Sequence, residues 1–449
     1  MTVLGLDIGT TTICGIAVDA KSGKLLKAVT LDNDSFIEGK SFEKIQSPER
    51  IIEKVKALAD ELYDEFEPVC AVGITGQMHG IVYIDENGKA VSPLYTWQDS
   101  SGNEQCGEES YAQRLSAVTG YAAASGFGAT TYYYHKCNNL VPESAVGFCT
   151  IHDYAGMVLT GRKTPKIHTS DAASFGIFNI EKGCFDKEKT EKAGLDWSLF
   201  PEVTDEFESI GEYRGVPVCV AVGDNQASFI GSVKEMDGCA LVNMGTGGQI
   251  SMLTQLKKAP EGMEIRPLGA GYNILVGCSL CGGRAFAVLA DFFADVAQMI
   301  NGERPKTVYK AMDAMLAESN CGEALNVSTK FSGTRVNPSL RGSIENIGVD
   351  NFTPLNLMNG FLGGMVSEIT EMIEPTGCKV KKLVGSGNGL RKNVPLQNRF
   401  SKALDCDMMI PLNREEAAFG AALTALVACG EKADLAAAQQ LVKYESSIL

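Results

Sequence analysis

Residues Asp7-Ile8-Gly9-Thr10-Thr11-Thr12, followed by Ile13-Cys14-Gly15-Ile16, decide how this chain reads. Nearly the same phrase returns downstream as Asn243-Met244-Gly245-Thr246-Gly247-Gly248, followed by Gln249-Ile250-Ser251-Met252. Val3-Leu4-Gly5-Leu6 precedes the first copy and Cys239-Ala240-Leu241-Val242 the second, so each is a tight Gly/Thr turn between two apolar strands. Such a turn offers backbone N–H groups and hydroxyls to an anion, and glycine lets a phosphate approach closely. One such turn is usually only a turn. Two in register, each after a buried strand, imply a duplicated fold that clamps a polyphosphate between its halves. Only the first copy has a carboxylate, Asp7, where the second has Asn243. A Mg²⁺ ion accompanying the phosphates would therefore partner Asp7, directly or through water.

With 449 residues the chain suits two domains rather than one core. A net charge of −15 argues against nucleic acid or an anionic membrane as a general partner, so a phosphorylated ligand must be held by local donors. No apolar run is long enough to span a bilayer, and the N-terminus enters a strand without a signal-peptide pattern, so a cytoplasmic location is expected. The 14 cysteines are mostly single and embedded in apolar stretches (Cys70, Cys149, Cys219, Cys239), as reduced core residues are. Cys278 and Cys281 form the one close pair, and His79, His135, His152 and His168 supply no second half of a zinc site. A redox role for that pair stays open.

The first half alternates strand and helix. Strands are expected at Val3–Leu6, Ile13–Val18, Cys70–Ile74 and Ile81–Ile84, with a turn over Asp85–Lys89. Ile51, Ile52, Val55, Leu58 and Leu62 have helical spacing, which predicts a helix over 47–65 with Pro48 in its first turn. Gly215–Val222 reads as one buried strand ending at Gly223-Asp224. The pattern then restarts, which places the boundary near Lys234–Gly238 and gives domains 1–236 and 237–449. In the second half, Leu383-Val384-Gly385-Ser386-Gly387-Asn388-Gly389 is a Gly-rich turn before a helix over 395–404. Asn413-Arg414-Glu415-Glu416 reads as a capping box opening an alanine-rich helix whose small residues imply close packing.

Gly223-Asp224-Asn225-Gln226 sets a carboxylate and two amides at a strand end, where open α/β sheets present ligands. Asp224 there suits a base that takes a proton from a hydroxyl nucleophile, and equally suits the N-cap of a helix starting at Asn225. Ile74-Thr75-Gly76-Gln77-Met78-His79-Gly80, with Thr96-Trp97-Gln98-Asp99, reads as a polyol-binding wall of an aromatic platform and several hydrogen-bonding groups. A lone His79 would more often be a satisfied core residue.

In order, Asp7–Thr12, Gly76–Gly80, Trp97–Asp99, Gly223–Gln226, Gly245–Gly248, Gly385–Asn388 and Glu416–Ala422 resemble the FGGY carbohydrate kinases, over nearly the whole chain. The resemblance implies an α/β fold of two duplicated ribonuclease H-like domains, as in actin, Hsp70 and sugar kinases, with a central nucleotide cleft. It implies an N-terminal sugar-binding domain, a C-terminal nucleotide-binding domain, and a monomer or homodimer. ATP would meet Thr10, Thr11, Thr12, Gly245, Thr246, Gly247 and Gly248 with its phosphates, and Gly385, Ser386, Gly387 and Asn388 near its adenine. Mg²⁺ would be associated with Asp7. A ketose would touch Gln77, Met78, His79, Trp97, Asp99, Asn225 and Gln226, and Asp224 would deprotonate its terminal hydroxyl. Gly-Gln-Met-His-Gly looks like the ketose segment of xylulokinases and sedoheptulokinases, and Thr-Trp-Gln-Asp is closer to the sedoheptulokinase branch. Many relatives have an arginine soon after Trp-Gln-Asp, whereas this chain continues Ser100-Ser101-Gly102-Asn103. An actin- or Hsp70-like ATPase and a non-catalytic sugar sensor are the competing classes. The first gives Gly76–Gly80 no role, and keeping both Asp7 and Asp224 argues against the second.

Overall fold

The computed structural model describes residues 1–317 and 325–445. They divide into two compact units: Met1–Glu235 with Arg266–Asn273 and Glu415–Lys443, and Met236–Ile265 with Ile274–Arg414 and the C-terminal segment from Tyr444. The chain thus passes between units several times, not once near residue 236. Two segments from the second half of the sequence, Arg266–Asn273 and Glu415–Lys443, fold with the first unit, where Gln226 Nε2 donates to Pro267 O and helix Glu416–Ala428 packs on the sheet.

In the first unit, β1 (Thr2–Ile8) and β2 (Thr12–Asp19) form an antiparallel hairpin continued by β3 (Leu25–Asp32). Helix α1 (Pro48–Glu65) follows, with the Ser47 side chain accepting from the Arg50 N–H and Pro48 in the first turn. Its apolar stripe Ile51, Val55, Leu58 and Leu62 is buried, and full burial of one such leucine contributes about 1.5–3 kcal/mol. The chain returns as β4 (Val69–Gly76), parallel to β1. Beyond it come α2 (Ile151–Thr160), the single turn α3 (Thr169–Ala172), β5 (Ser209–Tyr213), β6 (Val216–Cys219), β7 (Val222–Gly223) and α4 (Asp224–Ser232). The strand expected over Gly215–Val222 is broken, because Val220 and Ala221 carry the chain from one pairing with β4 to the next.

The second unit repeats the pattern. Strands β8 (Cys239–Met244) and β9 (Gly248–Thr254) form a hairpin, and β10 (Met263–Gly269) and β11 (Tyr272–Ser279) extend that sheet. Helices α5 (Gly282–Asn301) and α6 (Pro354–Ile373) precede β12 (Lys382–Ser386), which lies parallel to β8 as β4 does to β1. Then come α7 (Asn388–Arg391), α8 (Val394–Leu404) and β13 (Met408–Met409).

Helix α9 (Glu416–Ala428) belongs to the first unit and packs on β1, β4 and α4. The approach is close: a Cβ on Gly73 would lie 1.8 Å from the Ala421 carbonyl oxygen, so only glycine fits there. The expected capping box does not form. The helix begins at Glu416 with Glu415 as N-cap and no side-chain cap bond, so Asn413 lies two residues before the cap. No helix among the described residues is long and apolar enough to cross a membrane.

Candidate active site

Both Gly/Thr phrases are hairpin turns, closing at the pairs Ile8–Ile13 and Met244–Gly248. In the first, Gly9 O accepts from Asn33 Nδ2 (2.8 Å), Thr10 O from Gln46 Nε2 (2.8 Å) and Thr11 O from Asn33 N (2.8 Å). In the second, Gly245 O accepts from Gly283 N (3.1 Å), Thr246 O from Arg284 N (3.1 Å) and Gly247 O from Gly245 N (3.0 Å). Each turn has three successive carbonyls engaged by protein donors, and in the second the Gly245 N–H is spent within the turn. Thr11, Thr12, Gly245, Thr246 and Gly247 are exposed. This suits a polyphosphate. In the second unit Ser386 lies level with Asn243 in the parallel pairing, which sets the Gly385–Asn388 turn beside the hairpin end.

In the first unit Ile8, Gly76 and Gly223 lie abreast on three neighbouring strands, and the Gln77 N–H donates to Ile8 O (3.0 Å). Asp7, Gln77 and Asp224, far apart in sequence, therefore leave the sheet at one edge. Asp224 follows directly on the end of β7 and does not cap the helix. It is the first residue of α4 and Gly223 is the N-cap. Burial pushes its carboxyl up to about 6; the His152 charge opposes this, Asp171 adds to it, and the Asn225 N–H bond and Arg266 lower it. Burial first, then Asp224 and Glu415, push Asp7 to about 7 against the opposing pull of His152. Among the described residues no three His, Cys, Asp or Glu side chains form a metal cage. Two half-buried carboxylates, of which Asp224 raises the proton affinity of Asp7, instead suit a Mg²⁺ ion held by one or two carboxylates and phosphate oxygens.

Residues 2–231 match the N-terminal domain of the FGGY family of carbohydrate kinases, and residues 240–429 match its C-terminal domain. The chain belongs to this family. It is an ATP-dependent carbohydrate kinase. It is similar to mouse sedoheptulokinase, at 26% identity over 94% of this chain and 97% of that protein. It is also similar to a Lactococcus lactis xylulose kinase, at 29% identity over 56% of this chain and 52% of that protein. In fold it matches the crystal structure described as a xyloylose kinase from Brucella ovis, with TM-score 0.84 and 20% identity over 99% of this chain and 94% of that one.

The structure brings most of the expected sugar wall of this kinase together. Thr10 Oγ1 donates to Gln77 Oε1 (3.2 Å) and accepts from Trp97 Nε1 (3.0 Å), while Gln77 Nε2 donates to Gln46 Oε1 (2.9 Å). Thr10, expected on the phosphate side, is thus tied to the wall. Trp97 is 48% exposed and free to serve as a platform. Met78 is buried, with its sulfur against Gly223. His79, at φ 71°, is held by Ser174 through its N–H (3.0 Å) and Nδ1 (2.7 Å), and stacks on Phe127 at 4.7 Å. Asp99 is buried, its Oδ1 accepting from Ser101 N (2.9 Å), and burial raises its carboxyl above the usual range.

Gln226 is fully buried and braces α4: its Nε2 donates to Pro267 O (3.0 Å) and Ser170 O (3.5 Å), while its Oε1 has no hydrogen-bond partner. Asn225 Oδ1 accepts from Arg266 Nη1 (3.1 Å). Arg266, Gln46, Glu415, His152 and Asp171 were not legible as site residues. No motif marks them, and only folding brings 152, 171, 266 and 415 to the Asp7–Asp224 edge. Cys278 is half-buried, Cys281 is buried, and both are free thiols.

Proposed function

We propose that the kinase transfers the γ-phosphoryl group of ATP to a terminal primary hydroxyl of a ketose, with sedoheptulose ahead of D-xylulose as acceptor. The observation that carries this reading is the pairing of Asp224 with Asp7 at one sheet edge beside the Gln77–Thr10–Trp97 cluster. Asp224 accepts the proton of the attacking hydroxyl, and a carboxylate near 6 is ionised at neutral pH yet basic enough for that task. The largely dissociative transition state leaves the protein mainly to position reactants and stabilise charge. In this reading the Thr10–Thr12 turn and the Thr246–Gly248 turn each offer donors to phosphate oxygens, and the Gly385–Asn388 turn is assigned to the adenine. Asp7 would hold a Mg²⁺ ion, which would supply positive charge to the phosphates. Gln77, Met78, His79, Trp97 and Asp99 form the sugar wall. Arg266 is bonded to Asn225, the residue next to Asp224.

Sedoheptulose is favoured because Gly76–Gly80 and Thr96–Asp99 share the ketose and sedoheptulokinase patterns. The mouse sedoheptulokinase also aligns with 94% of the chain, against 56% for the Lactococcus xylulose kinase. The test is ADP release with sedoheptulose, D-xylulose, D-ribulose, L-ribulose, L-rhamnulose, glycerol and gluconate. We expect the highest kcat/KM on sedoheptulose. A preference for glycerol or gluconate refutes the ketose reading, whereas a preference for D-xylulose refutes only the finer choice.

A further inference from the structure

Three buried titratable side chains have no part in the chemistry above: His152 on α2, Asp153 beside it, and Asp171 on α3. His152 and Asp171 are fully inaccessible and form an ion pair, Nε2 to Oδ1, at 3.1 Å. Asp153 is bonded locally, its Oδ2 accepting from Thr150 Oγ1 (2.7 Å). Burying two charges is costly, so a pair placed here calls for a reason.

The bonds around the pair lead to Asp224. Ser170 precedes Asp171 on the same four-residue helix, and its Oγ accepts from the Gly223 N–H at 3.1 Å. The Ser170 carbonyl accepts from Gln226 Nε2 at 3.5 Å, and Ser170 Oγ lies 2.8 Å from His168 Nδ1. The short helix therefore grips both sides of Asp224, the peptide before it and the amide two residues after it. The imidazole also lies under the sheet edge: a Cβ on Gly76 would come within 3.0 Å of His152 Nδ1 and 2.8 Å of Ile8 O. Gly76 is the middle member of the Ile8–Gly76–Gly223 row from which Asp7 and Asp224 emerge.

We propose that His152 is a positioning residue for Asp224, anchoring α3 through Asp171 so that Ser170 holds the Gly223 peptide and fixes where the base points. The charges agree with the geometry. Burial disfavours the imidazolium, but Asp171, then Asp153 and Asp224, outweigh it and push His152 up to about 9. Loss of the imidazole leaves Asp171 as a lone buried charge on a single helical turn, which relaxes by moving, and Ser170 moves with it. A misplacement of about 1 Å in catalytic geometry can cost about 10²-fold in rate.

This inference rests on the reading of Asp224 as the base, and the experiment separates the two. His152→Gln, Ser170→Ala and Asp224→Asn are made singly, and each of the first two is combined with the third. Folding is checked by thermal melting. Turnover is measured at saturating Mg·ATP with sedoheptulose, or with D-xylulose should that be the better acceptor. We expect His152→Gln and Ser170→Ala each to lower kcat by about 10–100-fold with both KM values within about 3-fold. Added to Asp224→Asn, either should cost less than about 3-fold more, because a residue acting through the base has nothing left to position. A merely structural pair gives losses that multiply, which overturns the proposal. Full kcat in His152→Gln, or a loss in His152→Gln that Ser170→Ala does not share, overturns it too. Should His152→Gln fail to fold, Ser170→Ala alone decides by the same two readouts. Wild-type turnover in Asp224→Asn removes the base reading and this inference together. An inactive Asp224→Asn beside fully active His152→Gln and Ser170→Ala removes only the inference.

Discussion

Asp7→Asn should stabilise the ligand-free kinase above neutral pH while crippling it as a catalyst. In the fold the Asp7 carboxyl is raised from 3.8 to about 7, chiefly by burial and then by Asp224 and Glu415. A carboxyl with a raised folded value binds its proton more tightly folded than unfolded. Its contribution to stability is fully present below 3.8 and is lost as pH rises to about 7, beyond which the fold carries an ionised, poorly solvated group. Each pKa unit is worth ~1.4 kcal/mol, so the ceiling of the penalty is ~4 kcal/mol. The carboxylate is half-buried rather than sealed, and solvent that reaches it reduces the expectation to ~2 kcal/mol. Asparagine is neutral at every pH and nearly isosteric. The variant should melt ~4–8 °C above wild type at pH 8 and within ~1 °C of it at pH 4. Adding Mg·ATP should narrow the gap at pH 8, because only the wild type gains a partner for its charge. Thermal melts at the two pH values, with and without Mg·ATP, make the measurement. A variant no more stable at pH 8, or equally favoured at both, refutes the claim that Asp7 is an uncompensated buried carboxylate.

The kcat/KM profile should fall on its acid side with apparent pKa values between about 6 and 7, belonging to the Asp224–Asp7 pair, since both must be ionised to work. Activity undiminished at pH 5 would speak against both roles. Thr246→Val should raise the KM for ATP with the sugar KM unchanged, because it removes only a hydroxyl on an exposed turn. Thr10→Val should raise both, because that hydroxyl also joins Gln77 to Trp97, and steady-state KM values for the two substrates separate the cases. Arg266→Ala should raise the sugar KM ~10-fold or more by leaving Asn225 without its guanidinium partner, and an unchanged sugar KM would place Arg266 outside the sugar site.

Local signals were readable where a few neighbouring residues carry all the information. The Gly/Thr hairpins, the amphipathic stripe of α1 with its Ser47 cap, and the glycine and alanine contacts of α9 are of this kind. Readings failed where the fold, not the local pattern, set the boundary. Asn413 and Glu416 have the spacing of a capping box, but the helix starts at Glu416 with Glu415 as its N-cap. Gly215–Val222 reads as one strand, but its pairing with β4 shifts the chain at Val220–Ala221.

The sequence alone determined the two Gly/Thr hairpins with Asp7 on the first, because turn chemistry and apolar period act over a few residues, and the fold and kinase activity were read from the resemblance of its ordered motifs to the FGGY carbohydrate kinases. Only the tertiary structure decided which charges share the edge with Asp7. Asp224, His152, Asp171 and Glu415 act on one another through a poorly screened interior, and their coupling depends on distances of a few ångströms that chain separation does not encode. It likewise decided that the chain, lacking an arginine after Trp97-Gln98-Asp99, brings Arg266 to Asn225 beside Asp224 from a strand far along the sequence.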